Sequence, residues 1–117
     1  MNEPKKFLKR AFEVTAMQLT GSNSDCHAVY LWVEHEVGSF EPMGVIERRV
    51  KPPKFGVSLD PRDGRMILAT PGGLQWVDMD DWVIRGPGGG FHACNPDMFR
   101  AKYAEPGDDR LYERPTI

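Results

Sequence analysis

The sequence predicts an α+β fold: one small domain built on a curved antiparallel sheet or open barrel, with one main helix and a short C-terminal helix. Three observations lead there. A single long segment repeats apolar residues at helical spacing, through Cys26, Val29, Tyr30, Val33 and Val37, with Ala28, Leu31 and Trp32 widening the stripe. Much of the remaining chain consists of short apolar runs separated by turn residues, the pattern of paired strands. Ten prolines and twelve glycines in 117 residues punctuate those runs, which disfavours a helical bundle.

Each element follows from its residues. Residues 1–8 read as a flexible basic arm. From Arg10 to Thr20, Phe12, Val14 and Ala16 alternate with Glu13 and Thr15, as in a half-buried strand. Met17 and Leu19 fall on the opposite parity, so either both faces are covered or a bulge shifts the register. Gly21 ends the strand. Ser22 or Ser24 caps a helix over residues 24–36, Asp25 suits its positive end, and Gly38 stops it. Residues 38–54 are irregular, with a short strand at Val45-Ile46 and Val50 that Pro52-Pro53 must end. Phe55, Val57 and Leu59 alternate as the next strand. Asp60-Pro61-Arg62-Asp63-Gly64 is a turn by composition. Met66–Thr70 and Leu74–Val77 form a hairpin across Pro71-Gly72, a pair suited to a type II turn. After the acidic turn of Asp78, Asp80 and Asp81, a second hairpin joins Trp82–Arg85 to Phe91–Cys94 across the glycines. Gly86 and Gly89 would supply positive φ there. Pro96 opens the terminal helix, with Asp97 as its cap. The globular domain runs over residues 9–105, and residues 106–117 are a polar tail.

Composition bounds function. A formal net charge of −2 gives no global field for nucleic acid or a membrane surface. No apolar run is long enough to span a bilayer. The basic N-terminus (Lys5, Lys6, Lys9, Arg10) leads into no apolar leader segment, so a cytoplasmic protein is expected. In that compartment Cys26 and Cys94 read as free, buried, small apolar residues.

The C-terminal third carries a spaced pattern: Asp81, Trp82, Ile84, Gly86, Gly89, Phe91, Cys94, Pro96, Asp97, Phe99 and Tyr103. Near the N-terminus a Lys/Arg-rich stretch runs into Ala16-Met17-Gln18, and Trp32 stands near the end of the helix. In these positions the chain resembles the PGDYG-like family of small phage and prophage proteins. It departs from that pattern at Met79-Asp80, where Pro-Gly is usual, at His92-Ala93, where Tyr-Pro is usual, and at Asn95, where Lys is usual. Residues 38–65 match nothing in the family. The resemblance implies an early-type phage accessory protein, not a virion component, acting in the host cytoplasm. It implies no chemistry. Most of the signature also has a structural explanation: Trp82, Ile84, Phe91, Phe99 and Tyr103 as core, the glycines as a turn.

Chemistry-bearing residues are sparse. Cys26, His27, His35, His92 and Cys94 have zinc-ligating atoms, but no C-x-x-C or H-x-x-x-H pair is present. Neither thiol has a sequence neighbourhood that would lower its pKa for nucleophilic work beside His27 or His92. Asp60 with Asp63, or Asp78 with Asp80 and Asp81, can hold a divalent cation, yet Asp is common in turns for backbone reasons. Phosphate binding is the better match. Gly86–Gly90 offers backbone N–H groups, Arg85 precedes it and His92 follows it. Arg48, Arg49, Lys51 and Lys54 form a basic cluster beside Phe55.

The expectation is therefore a non-enzymatic accessory protein that interferes with the host, by sequestering a nucleotide-type immune signal or binding a host protein. Its ligand-binding residues would be Arg48, Arg49, Trp76, Arg85 and His92, with no catalytic residue, metal or cofactor. The pocket would be pre-formed, within one chain or between copies in a homo-oligomer. The alternatives are a small metal-dependent nucleotide hydrolase using Asp78–Asp81, and a nucleic-acid-binding regulator using the arm and the Arg48–Lys54 segment. The acidic neighbours of those cations weaken the nucleic-acid reading.

Overall fold

The computed structural model describes residues 3–9 and 12–103. Its first element is a correction. Part of the expected loose arm is a strand, β1 (Lys5–Lys9), which pairs antiparallel with β2 (Phe12–Gln18). Helix α1 (Asn23–Val37) follows. Ser22 caps it by accepting a hydrogen bond from the Asp25 N–H, and the Gly38 N–H closes it on the Glu34 carbonyl at 2.8 Å.

The expected strand at Val45-Ile46 is instead a short helix, α2 (Pro42–Ile46). Pro42 occupies the first turn, where a missing N–H costs nothing, and the Glu41 carboxylate accepts from the N–H groups of Met43 (3.0 Å) and Gly44 (2.8 Å). Those bonds, Gly44 first, lower the Glu41 pKa. The helix ends in a Schellman motif: the Arg49 N–H bonds the Gly44 carbonyl and the Arg48 N–H bonds the Val45 carbonyl. Arg48 stands at its left-handed position, φ 63°, where glycine is usual. A side chain there costs about 1 kcal/mol.

Strands β3 (Gly56–Leu59), β4 (Met66–Thr70) and β5 (Gly73–Val77) form one antiparallel sheet by successive hairpins. The Pro71-Gly72 turn is not type II. The positive φ falls on Gly73 (121°), not on Gly72. Strands β6 (Trp82–Arg85) and β7 (Phe91–Cys94) close the second hairpin, and helix α3 (Pro96–Lys102) follows. The cap of α3 is Asn95, not Asp97: its Oδ1 accepts from the Met98 N–H at 2.8 Å, whereas Asp97 pairs with Arg100.

The fold is α+β as expected, and its strands make two antiparallel sheets with no closed barrel among the described residues, in the orders β1-β2-β6-β7 and β3-β4-β5. The chain crosses between them at Asp78–Asp81. There Leu19 accepts from the Asp80 N–H and donates to the Asp81 carbonyl, which delivers β6 alongside β2. Both faces of the four-stranded sheet are covered. Val14, Ala16 and Ile84 pack with Phe99 and Tyr103 of the C-terminal helical end. Met17, Val83 and Phe91 pack with Val29 and Val33 of α1 and with Val57, Met66, Leu68 and Val77 of the second sheet. The mixed parity of β2 is thus double coverage without a bulge. Trp82 stacks on Phe99 at 4.0 Å between centroids, and Phe99 on Tyr103 at 5.1 Å.

The sheets are also stitched by a side chain. Gln75 Nε2 donates to the Ala93 carbonyl (3.1 Å), and its Oε1 accepts from the Ala93 N–H (2.9 Å). The carboxamide occupies the place a neighbouring strand would take on β7 and satisfies two of its open backbone groups. Among the described residues no helix is long and apolar enough to cross a membrane.

Candidate anion-binding site

Register decides which side chains share a face, because directly paired residues of antiparallel strands point the same way. Lys6 of β1 pairs with Thr15 of β2, Thr15 with Arg85 of β6, and Arg85 with Phe91 of β7. This row lies on the α1 face of the sheet, where Trp32 meets Phe91 edge to face at 5.0 Å. Arg85 is held there twice. Its Nη2 lies 3.1 Å from Glu36 of α1, and its guanidinium carbon lies 5.9 Å from the Phe91 ring centroid. Its Nε is buried and has no hydrogen-bond partner. A buried guanidinium N–H without an acceptor is unfavourable unless a ligand or water meets it.

Lys6, Thr15 and Arg85 line a groove of about 270 Å³ that ends on Gly86, Pro87 and Gly89 of the β6–β7 turn. The turn does not offer the amides expected of it. The Gly86 N–H bonds the Gly90 carbonyl and the Gly89 N–H bonds the Gly86 carbonyl, both at 3.0 Å, so the groove-lining amides close the turn on itself. Gly89 supplies the positive φ (89°) and Gly86 does not. Side chains, not a backbone nest, are therefore the donors of this groove. The turn also seats Phe55: its ring lies against Gly90, close enough that a β-carbon there would stand 3.4 Å from it, and the residue remains 45% exposed.

The five residues expected to bind ligand do not converge. His92 pairs with Ile84 and so falls on the α3 face, opposite Arg85, and it is exposed. Trp76 pairs with Ile67 on the outer face of the second sheet, and its indole N–H donates to Asp60 at 3.1 Å. Arg48 and Arg49 line a separate groove beside α2, and Arg49 pairs with Glu47 at 2.8 Å. Only Arg85 stays with the glycine turn. Lys6 and Thr15 were missed because nothing short of the β1–β2 register brings the arm alongside Arg85.

Four of the carboxylates expected for metal chemistry, Asp60, Asp63, Asp78 and Asp81, are engaged by neighbouring donors. Asp60 is 1% exposed and accepts from the Arg62 Nε (2.9 Å), Nη2 (2.7 Å) and backbone N–H (2.9 Å), besides Trp76. The Arg62 side chain, then its backbone N–H, then Trp76 hold its carboxyl well below the usual carboxylate range. Asp63 accepts from the Arg65 N–H, Asp81 from the Asp78 N–H, and Asp78 pairs with Arg65. Among the described residues no three His, Cys, Asp or Glu side chains gather as a metal-binding group. Cys26 and Cys94 are half-buried rather than fully buried; Cys26 donates weakly to the Thr20 carbonyl.

Comparison with protein-family models, curated proteins and solved structures gives no match.

Proposed function

We propose that the protein is a non-enzymatic binding protein for a phosphate-bearing, nucleotide-type ligand held in the Arg85 groove. In the phage context its sequence resembles, it would act by withholding that ligand from the host. The observation that carries this reading is the Lys6–Thr15–Arg85 row with its buried, unpartnered Arg85 Nε. An ammonium, a hydroxyl and a guanidinium edge on one face are donors suited to a phosphate. The exposed Phe55 ring at the far side of the glycine turn offers a plane for a base.

Size narrows the ligand. A groove of about 270 Å³ lies below the roughly 300–1,000 Å³ usual for enclosed small-molecule sites. It suits one phosphate with its neighbouring sugar, and a dinucleotide would need a second copy of the chain to close over it. Glu36 competes for Arg85, so its neutralisation should strengthen anion binding.

Calorimetric titration with AMP, a cyclic dinucleotide and inorganic phosphate tests this. The expected result is binding of a nucleotide recovered chemically unchanged. Arg85→Ala should weaken it by roughly 10- to 100-fold, the loss of a charge-assisted hydrogen bond, and Glu36→Gln should tighten it. Equal affinity in folded Arg85→Ala protein, or conversion of the nucleotide, would refute the reading.

A further inference from the structure

The groove beside α2 shares no lining residue with the Arg85 groove and has a different character. It measures about 420 Å³. Leu74 and the largely buried Val45 form its aliphatic lining, and Val50 stands beside them 56% exposed. Its polar lining is cationic: Arg48, Arg49 and Lys51, three positive charges within four residues of a chain whose net charge is −2. Glu47 answers Arg49, while Arg48 and Lys51 have no ion-pair partner among the described residues.

Arg48 carries a second signal. It fills the left-handed position of the Schellman motif, which glycine occupies without strain. A bulky cation kept where the backbone disfavours any side chain points to a use for the guanidinium, since residues that break local rules concentrate at functional positions.

We propose that this groove is a docking surface for an extended, acidic segment of a partner protein. Carboxylates of that segment would meet Arg48 and Lys51, and an apolar side chain between them would lie on Val45, Val50 and Leu74. Charge complementarity selects an anionic partner. The aliphatic lining selects a peptide over nucleic acid, because it contains no aromatic ring on which a base can stack.

The test uses the full chain against a random 12-residue peptide library, with a random 12-residue single-stranded DNA pool in parallel, at physiological salt. The expected result is enrichment of peptides with acidic residues flanking an apolar one. Arg48→Gly and Lys51→Ala should each weaken a selected peptide at least tenfold, and Arg85→Ala should leave it unchanged. Arg48→Gly should also raise Tm, so its loss of binding cannot come from unfolding. No acidic enrichment, binding indifferent to Arg48→Gly, or preferential retention of DNA would overturn the proposal.

Discussion

Replacing Gln75 by Ala should separate the two sheets energetically without emptying the core. The carboxamide makes two hydrogen bonds to Ala93, at 2.9 and 3.1 Å, on the edge of β7 that β6 does not use. At about 0.5–1.5 kcal/mol net for each, their loss costs about 1–3 kcal/mol. For a domain of this length a destabilisation of 1 kcal/mol lowers Tm by about 3–6 °C, so a drop of about 3–18 °C is expected. Urea denaturation measures the first quantity and thermal scanning the second. Amide exchange gives the local readout: the Ala93 N–H should lose protection beyond the global loss, while Val83 on β6 follows the global change only. Gln75→Glu sharpens the test. A carboxylate can accept from the Ala93 N–H but faces the Ala93 carbonyl with no proton to donate. Protonation restores the donor, so the folded state raises the pKa of this new carboxyl above its unfolded value near 4.3. The repaired contact is then fully present below that value and is lost as pH rises through the folded pKa, so the variant approaches wild-type stability in acid. Unchanged Tm and unchanged Ala93 exchange in Gln75→Ala would refute the stitch.

Asp60 works in the opposite sense. Its folded pKa is depressed by Arg62 and Trp76, so its contribution is present above the unfolded value near 3.9 and is lost as pH falls through the folded one. Asp60→Asn should therefore be less stable at neutral pH and flatter on the acid limb of a Tm–pH curve; an acid limb as steep as wild type would contradict this. Phe99→Ala removes the middle ring of the Trp82–Phe99–Tyr103 stack and should cost about 3–5 kcal/mol in urea, with Tyr103 fluorescence or near-ultraviolet dichroism reporting a loosened C-terminal end. Asn95→Ala should cost about 1 kcal/mol through the lost cap of α3, while Asp97→Ala should cost much less, since Asp97 makes a surface pair with Arg100.

How much was legible in the chain depends on the range of the forces involved. Helix α1 was readable because its apolar stripe lies within its own residues and its Ser22 cap and Gly38 stop directly flank it. The hairpins β4–β5 and β6–β7 were readable because a few turn residues set each pairing. Even local readings failed where two local signals competed. Val45-Ile46 has strand-forming side chains, yet Glu41-Pro42 starts a helix there and the cap prevails. Asn95 and Asp97 both suit a cap, and the phase of Pro96 decides for Asn95.

The α+β class, the main helix and the absence of any recognisable catalytic motif belong to the sequence by itself. Tertiary structure decided the rest, because it depends on pairing between segments far apart in the chain. The arm becomes β1 only because β2 offers it an edge. Two sheets form because Leu19 binds the chain at Asp80 and Asp81 as it leaves β5. The same pairing distributes the expected binding residues. A strand's side chains alternate, so one residue of register sends Arg85 to the α1 face and His92 to the α3 face. Composition gathers cations along a sequence, whereas register and burial determine which of them meet the same ligand.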